Sequence, residues 1–242
     1  MKRQFLYALA VLIALGLVLA GAYFSFVYHA PSCSDNVQNQ NEAGIDCGGP
    51  CAKLCSAPLV SALWAQSVEV APGVYHAVAM VQNPESDAGT NSLPYTFSLY
   101  DASNILIAER KGTMELFPGD IVPLFEANII TGSRTPAHTF VSFGQAVWAK
   151  MDAVQNPIRI VSQTLDQTAL RLTAHIQNIS VYPLANIVLT AFLYDEAGNI
   201  VNASQTTVAN VAANGQQDIA FTWQQPFTRP VVRFEITPRI SE

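Results

Sequence analysis

Hydrophobic residues fall into two regimes along this chain. From Phe5 to Tyr28 they dominate a run without a single charge; beyond it they alternate with polar residues in short stretches. At a rise of about 1.5 Å per residue the first run makes a helix about 36 Å long, enough to cross the hydrocarbon core of a bilayer. The later stretches predict β-strands, whose successive side chains point to opposite faces. In the stretch beginning at Leu170, for example, Leu170, Leu172, Ala174 and Ile176 share one face, and Arg171, Thr173, His175 and Gln177 share the other. Helical periodicity is confined to the first run. The pattern therefore predicts one transmembrane helix followed by a mainly β protein.

Lys2 and Arg3 precede the apolar run, and the next Lys or Arg is Lys53. This asymmetry leaves the N-terminus in the cytoplasm and carries everything after Tyr28 outside. Ala20-Gly21-Ala22 has the small residues of a signal-peptide processing site. The run nevertheless continues through Tyr23, Phe24, Phe26, Val27 and Tyr28, and aromatic residues suit the membrane–water interface. Residues 1–30 read as a cytoplasmic tip and a retained single-pass anchor, with the lipid bilayer as the partner of residues 5–28. A cleaved signal is the alternative, and both readings export the rest of the chain.

Removing Lys2 and Arg3 leaves 10 basic residues against 18 acidic ones, a formal charge of −8. No basic cluster exists, so nucleic acid is not an expected partner. The exported part holds about 214 residues, which suits two small domains.

All 4 cysteines lie between residues 33 and 55, at Cys33, Cys47, Cys51 and Cys55. An even count in a polar, glycine-rich segment outside the cytoplasm argues for two disulfides, and spacing does not choose among the three pairings. A segment this short cannot bury enough apolar surface to fold without crosslinks. It resembles a cysteine-rich motif recurrent in bacterial and archaeal surface proteins, C-x-D-G-x-x-N-x-x-E-x-x-x-D-C-G-G-x-C. Cys33, Asp35, Asn39, Glu42, Asp46, Cys47, Gly48, Gly49 and Cys51 match it in order, while Asn36 stands at the usual glycine. The resemblance implies an extracellular stalk over 31–56. Asp35, Asn39, Glu42 and Asp46 are hard oxygen donors and form a candidate calcium set. The competing reading has them cap turns by accepting backbone amides. No other cofactor is expected.

The remaining chain contains an internal repeat with a period near 95 residues. Tyr75–Pro84 parallels Leu170–Ile179, each carrying Gln-Asn at the strand end, and Tyr95–Asp101 parallels Leu189–Asp195. Turn dipeptides Pro118-Gly119 and Asn214-Gly215 also correspond. Several short strands with turns between them point to β-sandwiches, and the long period to duplicated domains. Phe97-Ser-Leu-Tyr-Asp101 resembles the signature of the FxLYD family of immunoglobulin-like domains, with Phe97, Leu99, Tyr100 and Asp101 as motif residues. The second copy keeps Leu193, Tyr194 and Asp195 but has Ala191 at the phenylalanine position and Phe192 beside it. The resemblance implies two tandem immunoglobulin-like β-sandwiches, over 57–152 and 153–242. Phe97 and Leu99 are expected in the core, and Asp101 and Asp195 at the start of a turn. Trp64, Trp148 and Trp223 are expected in or between the cores, and a short linker near Gln155-Asn156-Pro157 predicts an end-to-end rod.

One asymmetry separates the copies. The outward positions His76, Val78 and Met80 of copy one correspond to Arg171, Thr173 and His175 in copy two. An apolar outer face needs a cover. Candidates are a partner protein, the cysteine-rich segment, copy two, or the local loop 85–93. No catalytic motif emerges, and the 4 histidines, His29, His76, His138 and His175, are dispersed. Asn178-Ile-Ser180 and Asn202-Ala-Ser204 fit a common glycosylation pattern that is uninformative on its own. The sequence thus predicts a non-enzymatic, membrane-anchored envelope or cell-surface protein that presents two β domains to an envelope protein partner. A ligand-binding sensory ectodomain is the alternative.

Overall fold

In the computed structural model, residues 2–26, 32–39, 41–56 and 58–240 are described. The expected span at 5–28 appears as α1, Lys2–Phe26, a helix long and apolar enough to cross a membrane; Val27, Tyr28 and His29 lie outside the described residues. The apolar side chains described along it are exposed on all sides. The chain divides into two units, Met1–Cys55 and Ser56–Glu242. The first holds α1 and the cysteine-rich segment. The second is all β and contains both copies of the repeat.

The first copy is built from β1 (Ser61–Ala71), β2 (Val74–Gln82), β3 (Ala88–Tyr100), β4 (Leu106–Leu116), β5 (Ile121–Ile130), β6 (His138–Phe143) and the short β7 (Ala149–Lys150). The second uses β8 (Ile158–Asp166), β9 (Arg171–Asn178), β10 (Leu184–Tyr194), β11 (Ile200–Val211), β12 (Gln216–Thr222) and β13 (Arg233–Ile240). Sheet orders are β1-β2-β5 and β4-β3-β6 in copy one, and β8-β9-β12 and β11-β10-β13 in copy two. The same connectivity occurs twice, and every pairing is antiparallel. These are two tandem sandwiches, as the alternating pattern predicts.

Each sandwich buries the inward set of its alternating strands. Phe97 and Leu99 of β3 are fully buried in copy one. Leu172, Ala174 and Ile176 of β9 meet Leu189, Ala191 and Leu193 of β10 in copy two, with Trp223 and Phe227 closing one end. Tyr95 lies across the β3–β4 pair over Gly112, where an added Cβ would sit 2.3 Å from the phenolic oxygen. That hydroxyl donates to Glu126 of β5 at 2.6 Å, tying the two sheets together.

The Gln-Asn that ends β2 and β9 has a structural cause. Asn178 is completely buried; its Nδ2 donates to the carbonyls of Tyr182 (2.7 Å) and Ala212 (3.1 Å), and its Oδ1 accepts the Ser180 N–H at 2.9 Å. Asn83 does the same in copy one, donating to Ala88 O (2.7 Å) and Phe117 O (2.8 Å) and accepting from Glu85 N. One buried carboxamide satisfies backbone groups of three segments that no strand pairs. Burial also removes Asn178 and Asn202 from the surface, so neither sequon presents an exposed asparagine.

Candidate functional site

In the cysteine-rich segment the disulfides are Cys33–Cys51 and Cys47–Cys55. The Asp46 carboxylate accepts the backbone N–H of Asp35 (3.0 Å) and Asn36 (2.9 Å). Asp35 accepts from Ser32 and Val37 and from the Asn39 side chain, and this last bond chiefly holds its carboxyl below the ordinary value. Buried Glu42 accepts the Asn39 and Asp46 amides, both at 3.2 Å. Asn36, at the motif's usual glycine, has φ of 60°, a left-handed conformation that asparagine tolerates. Asp35, Glu42 and Asp46 are thus spent on local amides and do not gather into one cluster among the described residues, while Asn39 donates its Nδ2 to Asp35 and keeps a buried Oδ1 without a hydrogen-bond partner. The Cys33–Glu42–Cys51 cluster offers no thiolate to a metal, because both sulfurs share one disulfide.

A second site forms where the two sandwiches meet. The outer face of β1-β2-β5 carries Trp64, Val68, Val78, Met80 and Phe125; that of β10-β11 carries Phe192, Tyr194, Ile200 and Ala203. These faces pack into one shared apolar cluster with Val78 and Phe192 fully buried. Trp64 and Phe192 meet edge to face, their centroids 5.6 Å apart and their planes at 82°. Arg233 lies over the Tyr194 ring at 3.7 Å. Copy two therefore covers the apolar outer face of copy one. The expected end-to-end rod does not form within this unit: two outer faces that both carry large apolar groups gain more by covering each other than by facing water.

The motif residues fall into place around this seam. Ala191 and Leu193 point into the core of copy two, while Phe192 points the other way, onto copy one. At the position of Phe192, copy one has Ser98, which hydrogen-bonds Glu109 at the surface. Exchanging Phe-Ser for Ala-Phe moves the aromatic ring from core to outer face, because neighbouring strand residues lie on opposite sides. Tyr100 stacks edge to face on exposed Phe140, on a face that copy two does not share. Asp101 accepts the amides of Ser103 (2.9 Å) and Ile105 (3.0 Å), and Asp195 those of Ala197 (3.0 Å) and Asn199 (2.8 Å). Each closes the same turn, and Arg229 adds an ion pair to Asp195.

Polar groups flank the seam at both ends. Near the linker, the Arg239 guanidinium donates to Glu115 O of copy one, and Asn156 Nδ2 donates to Pro238 O at 2.6 Å. Burial pushes Arg239 down and Asp120 up, while attraction between the two works against both shifts. A cleft of about 320 Å³ opens beside them, lined by Asn91, Thr113, Gln205 and Arg239 among others. At the opposite end His76 Nδ1 accepts the Asn128 N–H at 3.1 Å, and burial holds its pKa below 6.5. Of the other histidines, His175 pairs with Asp218 on an exposed face and His138 is exposed. Trp64 lies between the cores, as expected, whereas sequence reasoning missed Phe192 as the seam anchor it meets. The signal was present in the one-residue displacement of the phenylalanine between the copies.

No family model matches the chain, and no curated protein matches it. Among solved structures it is similar to a red sea bream transglutaminase at 14% identity and a TM-score of 0.23, over 76% of this chain and 31% of that one. It is likewise similar to a β-glucuronidase from glycoside hydrolase family 2 at 10% identity and a TM-score of 0.23, over 88% of this chain and 29% of that one. The chain spans less than a third of either protein, and likeness at this level carries no functional argument. The chain is an all-β protein with a helix long and apolar enough to anchor it in a membrane.

Proposed function

We propose that this is a non-enzymatic envelope or cell-surface protein. Its helix anchors it with the N-terminus in the cytoplasm, and its paired FxLYD-like sandwiches serve as a rigid platform for an envelope protein partner. The observation that carries the reading is the coupling of an apolar anchor to two sandwiches locked by a buried seam. A locked pair presents its loops in one fixed relation, so a partner loses less orientational freedom on docking than it would against flexibly linked domains. Disulfide pairing of every cysteine supports an oxidising compartment. Exposed Ile179, Val181 and Tyr182 on the β9–β10 loop are the kind of apolar anchors such docking uses.

Two measurements test this. Protease added to intact cells should remove the sandwiches and leave the anchor, and crosslinking in intact membranes followed by pull-down should recover the same membrane or envelope protein repeatedly. Sandwiches protected until the cells are lysed would reject the orientation. Crosslinking that yields only the chain itself would reject the platform role.

A further inference from the structure

The end of the seam away from the linker is hollow. Two adjoining hollows of about 230 and 180 Å³ share Val70, Ala71, Asn202 and Gln225 in their walls. Each alone falls short of the roughly 300–1,000 Å³ range of small-ligand sites, and together they reach its lower end. Copy one contributes the β1–β2 turn with His76 and Asn128, and copy two contributes the start of β11 and the segment after β12. The cleft exists only because the two sandwiches are held together.

Its chemistry is narrow. The polar walls are carboxamides, hydroxyls and an imidazole: Asn128, Asn202, Gln224, Gln225, Ser204 and His76. No Lys or Arg lines either hollow, and the one ionisable acid is Glu69. An anionic ligand would meet no counter-charge. With Nδ1 accepting from Asn128, neutral His76 keeps its proton on Nε2 as a donor. Trp223 also lines this hollow; its indole packs on Phe227 and the core of copy two, and the indole N–H is buried without a hydrogen-bond partner. A buried polar group left unmet, as are Asn39 Oδ1 and Arg239 Nε elsewhere among the described residues, calls for an explanation, and a bound group is one.

Comparison of the two copies shows that the backbone closure here does not require these side chains. The Trp223 N–H to Leu170 O bond (3.0 Å) that closes the end of β12 has its counterpart in Thr131 N–H to Gly73 O (2.9 Å). Copy one makes this closure with Thr131-Gly132, whereas copy two places Trp223-Gln224-Gln225 there. The two carboxamides are additions to a closure that small residues already achieve, while the indole beside them also caps the core of copy two.

We propose that this seam cleft binds a neutral oligosaccharide. Sugar hydroxyls both donate and accept, as carboxamides do, and an indole matches the apolar face and the hydroxyl edge of a pyranose ring. A peptide strand would be read by main-chain pairing along one sheet edge; this lining is instead drawn from several strands and turns of both copies. The site depends on the paired sandwiches and not on the platform reading, so either can fail alone.

The test uses the full chain in a detergent without sugar head groups, titrated with chitotetraose and with maltotetraose. Tryptophan fluorescence and saturation-transfer NMR supply the readouts. We expect saturable binding of one probe, weakened about five- to tenfold by Gln225→Ala and by Trp223→Phe, with melting temperature unchanged in the exposed Gln225 variant. No saturable response to either probe up to about 10 mM overturns the proposal. So does binding that both variants leave intact. A neutral peptide library that binds with the same dependence on Gln225 reassigns the cleft and overturns it equally.

Discussion

Replacing Phe192 by alanine should uncouple the sandwiches without emptying either core. Phe192 is fully buried, yet Ala191 and Leu193 on either side of it supply the core of copy two, so the cavity opens in the seam. Truncating a buried phenylalanine costs about 3–5 kcal/mol. Of this, the edge-to-face contact with Trp64 supplies about 0.5–1.5 kcal/mol, which a Trp64→Ala, Phe192→Ala double cycle would isolate. The native protein should unfold in urea as one cooperative β unit, because the seam makes each sandwich part of the other's surroundings. The variant should show two transitions, with Trp64 reporting exposure in the first, before Trp148 and Trp223. A loss below about 1 kcal/mol with one unshifted transition would refute the view that this cluster joins the copies.

Replacing Asn178 or Asn83 by alanine strands several buried carbonyls and should lower stability by about 1–3 kcal/mol for each group left unmet, read by thermal melting; an unchanged melt would remove their role as keystones. Gly112→Val should displace Tyr95 and break its bond to Glu126, lowering the stability of copy one, and retention of the native Tyr95 ring shifts in the NMR spectrum would count against it. Reduction and alkylation should label all four cysteines and unfold the knot, each crosslink contributing about 3 kcal/mol by loop-closure arguments, while the β transition stays in place because no cysteine lies in that unit. The folded pKa of His76 lies below its unfolded value of 6.5, so its contribution is present above pH 6.5 and is lost as pH falls through the folded value; His76→Gln should flatten that part of the stability–pH curve, and an unchanged slope would show that His76 does not report on the seam.

The alternating strands and the repeat were legible because each burial pattern is local: Leu172, Ala174 and Ile176 sit where period-two counting puts them. The turn roles of Asp101 and Asp195 were legible for the same reason, since an Asx turn reaches only a few residues ahead. The need for a cover over Val78 and Met80 was visible, but its identity was not. That depended on Phe192, about 110 residues away, and on a rigid-body pairing that no local pattern encodes. The disulfide pairing was equally hidden, because it follows from how Asp46 and Glu42 fold the loop back on itself.

The seam joins unlike faces, with the β1-β2-β5 side of one copy against the β10-β11 side of the next. A contact of that kind has no built-in end: the same handshake between further copies, or between neighbouring molecules, would build a fibre. Here one of the two remaining faces is plainly unsuited to it. The β8-β9-β12 surface offers Arg171, Thr173, His175 and Asp218, and at the Phe192 position the β4-β3-β6 surface offers Ser98, with exposed Glu109 and Lys111 nearby. Polymerisation is capped at a pair by the polar β8-β9-β12 wall, which gives exposed Phe140 on the opposite wall no apolar counterpart, so a concentrated solution of this protein should stay free of its filaments.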